Sequence, residues 1–197
     1  MQRGIDVVEE WCRSENMEIS PEKTVATVYG KGVRNSCDIR VGGVPARFSA
    51  CPRYLGVLLD RELTMKPHAK RVVNNAKRRL RAVRILAGAT WKPRSVHIYT
   101  LYNGVVESAV FNAAGAWLPR LDAASVASIE ALQAEGAALI LGVPRRLCSG
   151  DVLIHEAGLI PASLVSRREA GFLVCSGRSR AEFSDPLRRS LDLKKAS

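Results

Sequence analysis

An α+β fold is expected: a small, mostly antiparallel sheet with one helix, followed by an α-helical bundle. Three observations carry that expectation. The first 60 residues hold short β-branched runs separated by glycine and proline. From about residue 65 onward, apolar residues recur at spacings of three and four. The charge shifts at the same place, because no acidic residue lies between Glu62 and Glu107.

Residues 2 to 16 read as an amphipathic helix, with Ile5, Val8, Trp11 and Cys12 on one face. Pro21 places a turn before a strand over 24–29, which Gly30 ends. Residues 37–41 and 44–50 read as a hairpin closed by Gly42-Gly43, with Pro45 keeping one strand at an edge. Tyr54 to Leu59 reads as one further strand, with Leu55, Val57 and Leu58 packing into a core.

The helical half begins with the stripe Ala69, Val72, Val73, Ala76, Leu80, Val83 and Ala87, which Gly88 is expected to cap. A second helix should run from about Pro93 to Trp117, where Pro119 stops it. Asp122 should cap a third helix that ends at Gly142 and Pro144. Two shorter helices are expected over 149–157 and 161–176. Residues 177–197 are polar, mixed in charge and poor in apolar residues, the composition of a disordered tail. The domain reading is therefore 1–62, 63–176 and a tail over 177–197.

The 197 residues include 30 Lys and Arg against 19 Asp and Glu, a formal net charge of +11. Such a balance points to a polyanionic partner, nucleic acid first. Ten cations lie in the acid-free interval, from Lys66 to Arg94. If the apolar stripe faces a core, Lys66, Lys70, Lys77, Arg78, Arg81 and Arg84 face outward. Lys70 to Arg84 then form a ridge about 20 Å long, at ~1.5 Å per residue. No aromatic residue interleaves with it, so it suits the phosphates of a duplex better than stacked bases.

Several classes are excluded. The five cysteines (Cys12, Cys37, Cys51, Cys148, Cys175) form no C-x-x-C pair, and three scattered histidines complete no zinc spacing. Reduced thiols and an intracellular setting, nuclear or cytoplasmic, are expected. No run is read as spanning a membrane, and no small-molecule cofactor motif is present. No two aspartates adjoin, so no paired-carboxylate site for two-metal chemistry is visible. His155-Glu156 reads as a partly buried surface pair.

Four stretches together resemble the reverse transcriptase of non-LTR (LINE-type) retrotransposons. They are MEISPEKT (17–24), RYLGVLLDRELTMKPH (53–68), LYNGVVESAVFNAAGAW (101–117) and LIHEAGLIPASLVSRR (153–168). The resembling part is the end of the polymerase palm and the thumb, over about residues 1–175. The Tyr-Leu-Gly-Val, Leu-Asp, Leu and His string is its specific part. Ser20 stands where asparagine is usual, Met65 where tryptophan is usual, and Ser108 replaces a common proline.

The resemblance implies a palm-like sheet and a thumb-like bundle, and RNA-directed DNA polymerase (nucleotidyltransferase) activity for the parent enzyme. Lys23 matches a palm lysine near the triphosphate, a possible general acid for departing pyrophosphate. Tyr54, Leu55 and Gly56 match the primer grip, which supports the primer 3′ end. His68 and Trp117 are expected to serve the core. The partners implied are an RNA/DNA template–primer duplex and an upstream polymerase region. The Ala-Asp-Asp turn that binds Mg2+ in the parent enzyme should precede the first helix, so this chain is expected to bind no metal and to be inactive alone. The alternative is a stand-alone basic α-helical nucleic-acid-binding protein without polymerase ancestry.

Overall fold

The computed structural model describes residues 2–30, 39–88 and 93–173. Cys37, Cys175, Lys92 and the expected tail over 177–197 lie outside the described residues. The chain forms two compact units, one up to His68 and one from Ala69 onward.

The first unit opens with α1 (Gln2–Ser14) and continues as six two-residue strands: β1 (Val25–Ala26), β2 (Arg40–Val41), β3 (Val44–Pro45), β4 (Arg47–Phe48), β5 (Arg53–Tyr54) and β6 (Val57–Leu58). Among the described residues the expected single, mostly antiparallel sheet is instead three separate two-stranded ladders. Two are antiparallel hairpins, β2–β3 and β5–β6. The third, β1–β4, is parallel, with Val25 opposite Arg47 and Ala26 opposite Phe48. Proline and glycine recur too often here for longer strands to form. The Gly42-Gly43 turn is as expected: Val41 pairs with Val44, and both glycines take positive φ, 57° and 77°.

α1 serves the free edge of β2 with side chains. The Gln2 amide both accepts from Arg40 N and donates to Arg40 O, each at 2.9 Å, as a neighbouring strand would. Glu9 accepts from Gly42 N at 2.7 Å. These contacts turn Gln2, Ile5, Glu9 and Cys12 inward and leave Val8 and Trp11 exposed. The expected face of Ile5, Val8, Trp11 and Cys12 is therefore split, because the hairpin is gripped by polar side chains rather than by the apolar ones.

Helix α2 (Lys66–Gly88) spans the division between the units. Ala69, Val72, Val73, Ala76, Leu80 and Val83 are buried along it, as the stripe predicts, while Ala87 is half-buried. A fully buried Val or Leu contributes about 1.5–3 kcal/mol, so this stripe outweighs the small helix propensities of the residues.

In the second unit the expected helix to Trp117 is broken twice. α3 (Ser95–Tyr102) runs into a π-helical turn, Asn103–Glu107, and then the three-residue α4 (Ser108–Val110). Ala113 takes a left-handed φ of 53° before α5 (Ala114–Trp117). α6 (Ala123–Leu141) is capped as expected: Asp122 accepts from Ser125 N at 3.0 Å, and Gly142 is left-handed. α7 (Gly150–Glu156) follows, capped by Ser149, and α8 runs over 162–173.

α6 is the axis of this unit. It is long and apolar enough to cross a membrane on length and composition alone, contrary to the sequence expectation. Its apolarity serves burial: eight of its residues are buried, Ile129, Leu132 and Ile140 among them. The buried Gln133 donates to Ile160 O at 2.9 Å and accepts from Ala162 N at 3.0 Å. Glu130 accepts from Ser163 N at 3.0 Å. Two α6 side chains thus satisfy the N–H groups that open α8. Trp117 is fully buried and donates to Asn112 O at 3.1 Å, the core role expected of it.

The Tyr102 ring packs against α6 at Gly136. A Cβ at Gly136 would stand 2.1 Å from the ring. The Tyr102 hydroxyl is buried without a hydrogen-bond partner among the described residues. Burial, and then the nearby Glu107 carboxylate, push its pKa up. Burial likewise raises the Glu107 carboxyl, offset in part by a hydrogen bond from Gln133.

Gly136→Ala is expected to destabilise the protein by about 1–3 kcal/mol, because the new methyl would overlap the fully buried Tyr102 ring. Gly115→Ala, whose Cβ would meet only the movable end of Glu169, should change stability far less. Urea unfolding midpoints of the two variants check this.

Candidate nucleic-acid interface

The segment RYLGVLLDRELTMKPH turns from a hairpin into α2, and two side chains hold the turn. Asp60 Oδ2 accepts from Thr64 N at 2.9 Å and from Thr64 Oγ1 at 2.8 Å. Its Oδ1 accepts from Met65 N at 2.7 Å. Burial pushes the Asp60 carboxyl up, but the hydrogen bonds from Thr64 and Met65 more than offset it and leave its pKa below the ordinary value. They hold Leu63 and Met65 at positive φ, 54° and 60°. His68 is buried, and its Nδ1 accepts from Leu58 N at 3.2 Å, tying the first turn of α2 to β6. The core role expected of His68 is the one it has. Asp60, given no role by its sequence position, is the organiser of the turn.

Tyr54 to Leu59 is not the single strand expected. Tyr54 pairs with Val57 across a two-residue turn, Leu55-Gly56, with φ of 46° and 92°. Positive φ at both positions is the pattern of a type I′ hairpin, which favours Asn-Gly. Leucine there is strained by about 1 kcal/mol. Leu55 is 82% exposed and Tyr54 65% exposed. Leu55 therefore does not pack into the core as expected, whereas Val57 does. A leucine held in a disfavoured conformation at an exposed tip adds nothing to the hairpin's own stability.

Tyr54 also lines a cleft of about 540 Å3 in the first unit, together with Lys23, Arg47, Arg53, Tyr29 and Phe48. The fold thus brings Lys23 and Tyr54, far apart in the chain, to one surface. Lys23 is exposed and forms no ion pair with Glu22 among the described residues. Arg47 and Arg53 carry only a faint sequence signal, two arginines flanking a Cys-Pro pair, and are not among the residues expected at a site. The parallel β1–β4 pairing is what places Arg47 beside Val25.

On α2, Lys66, Lys70, Lys77, Arg78, Arg81 and Arg84 are all exposed. Lys66, Lys70, Lys77, Arg81 and Arg84 fall in one row, at steps of four, seven, four and three. Among the described residues Lys70, Lys77, Arg81 and Arg84 take part in no ion pair. Arg78 turns to the Asn75 side chain. Arg79 donates to Val105 O at 2.8 Å, a carbonyl of the π-helical turn, so it serves the fold rather than the ridge. His155 and Glu156 approach at 3.7 Å with both side chains exposed, not partly buried. Among the described residues no group of three or more His, Cys, Asp or Glu is placed to hold a metal ion.

Asp60→Ala is expected to cost about 1–3 kcal/mol of stability, since it leaves Thr64 N and Met65 N without their acceptor. Because the folded pKa is depressed, this contribution is present above the unfolded carboxylate pKa and is lost as pH falls through the folded one. The gap between parent and variant should therefore close in acid, as measured by urea unfolding across pH. Leu55→Asn is expected to stabilise the hairpin by about 0.5–1 kcal/mol by relieving the positive φ. The same change should weaken nucleic-acid binding if the tip touches the ligand. Thermal unfolding and fluorescence anisotropy on one preparation read both effects.

Comparison with family models, with curated proteins and with solved structures returns no match to this chain.

Proposed function

We propose that this chain is the C-terminal palm and thumb portion of a non-LTR retrotransposon reverse transcriptase. It contributes the primer grip and contact with the template–primer duplex. The observation that carries the reading is the β5–β6 tip: Tyr54 and Leu55 stand out from a strained two-residue turn, at the positions the resemblance assigns to the primer grip. Two further features support it. Lys23 shares a cleft with Tyr54, and α2 presents a row of cations with no acidic residue on the helix.

Mg2+ belongs to the parent reaction, and no residue of this chain is assigned to it. The chain's share is positional: the tip supports the primer end, the ridge takes up backbone phosphates, and Lys23 supplies positive charge beside the tip.

The rival reading, a stand-alone basic nucleic-acid-binding protein, is favoured by the completeness of the ridge, which needs nothing beyond α2. A duplex with a recessed 3′ end separates the two. The polymerase reading expects it to bind more tightly than a blunt duplex of equal length, and expects Tyr54→Ala to abolish the preference. Equal affinity for both duplexes would favour the rival.

The ridge carries its own expectation. Reversing Lys77, Arg78 and Arg81 together to glutamate should weaken duplex binding and flatten the plot of log affinity against log salt by about 2 units, at ~0.9 for each of the phosphates facing Lys77 and Arg81 in the row. An unchanged slope in a salt titration would remove the ridge from the interface.

A further inference from the structure

The cleft in the first unit differs in chemistry from the ridge on α2. The ridge is cationic and has no aromatic residue. Among the described residues the cleft combines three cations, Lys23, Arg47 and Arg53, with three rings, Tyr29, Phe48 and Tyr54, and no carboxylate lines it. Lys23, Arg47, Arg53, Tyr29 and Tyr54 are exposed, and Phe48 is half-buried. Thr27 also lines the cleft, and its hydroxyl is buried with no hydrogen-bond partner among the described residues. The volume, about 540 Å3, falls in the range of sites for small molecules, ~300–1,000 Å3.

Cations alone would suit any phosphate. Rings alone would suit any apolar group. Their interleaving suits a ligand that alternates a charged backbone with flat, stackable faces, which is single-stranded nucleic acid. In a duplex the base faces are covered by their neighbours, so a duplex offers the cleft phosphates only.

We infer that this cleft holds an unpaired nucleotide of a single strand, with its base against Tyr54 or Tyr29 and its phosphate between Arg47, Arg53 and Lys23. The inference deepens the function proposed above by naming the form of nucleic acid taken at this place. It rests on that reading for the ligand class but not for the polymerase ancestry.

The test uses the whole chain and three probes: a short oligothymidylate, an abasic oligomer of the same length, and a blunt duplex. Oligothymidylate should bind about tenfold more tightly than the abasic oligomer, the increment of one stacked base. Tyr54→Ala should erase that increment, whereas Tyr54→Phe should keep it. Arg47→Glu should weaken both oligomers. The triple ridge variant should lose duplex affinity yet keep the base-dependent increment, so failure of the ridge and failure of the cleft are read separately. Equal affinity for oligothymidylate and the abasic oligomer would overturn the inference, as would an increment that survives in both Tyr54→Ala and Tyr29→Ala. Full displacement of oligothymidylate by inorganic tripolyphosphate at matched phosphate concentration would also overturn it, reducing the cleft to a phosphate site. Far-ultraviolet circular dichroism confirms that each variant is folded.

Discussion

The hydrogen bonds gathered by the Asp60 carboxylate set the start of the basic helix. Met65 is buried at positive φ immediately before α2, a conformation disfavoured by the Cβ. Without an acceptor for Thr64 N and Met65 N, the chain would leave two backbone donors unmet at a partly buried turn. With it, the first residue of α2 has a defined place, and His68 falls where its Nδ1 can receive Leu58 N.

The cationic row has an electrostatic cost. Lys70, Lys77, Arg81 and Arg84 repel one another, and no acidic residue on α2 offsets this. Burial of the opposite face outweighs the repulsion, since Ala76, Leu80 and Val83 are almost fully enclosed. Arg79 illustrates the division of labour. It sits two residues from Lys77, yet the rotation of about 100° between helical neighbours turns it away from the row, where it meets the π-helical turn. Sequence adjacency does not make a shared surface; angular position does.

The parts legible in the sequence are those governed by local chemistry. The α2 stripe, the Asp122 cap, the Gly142 end and the Gly42-Gly43 hairpin follow from periodicity, an N-cap carboxylate and glycine's tolerance of positive φ. The Leu55-Gly56 turn is hidden because leucine is a poor turn residue, and an apolar run invites a strand. The π-helical turn at Asn103–Glu107 has no propensity signal of its own. The inward face of α1 departs from its apolar pattern because Gln2 and Glu9, polar residues, supply the contacts. The proximity of Arg47 to Val25, and so to Lys23's end of the cleft, depends on a parallel pairing between β1 and β4, two strands well separated in the chain.

What the sequence by itself determined is the charge and its placement: a net +11, concentrated after Glu62 on a helix whose apolar spacing obliges the cations to face outward. It also determined a resemblance, carried by a string centred on Tyr-Leu-Gly-Val. The tertiary structure alone decided that this string bends into a hairpin with its leucine exposed, and that Lys23 and Tyr54 line one cleft with two arginines and two further rings. Helix periodicity is a property of neighbours along the chain and can be read from their order. A cleft is a property of strands paired across loops, and which strands pair is settled by competing hydrogen bonds that no short window of sequence contains.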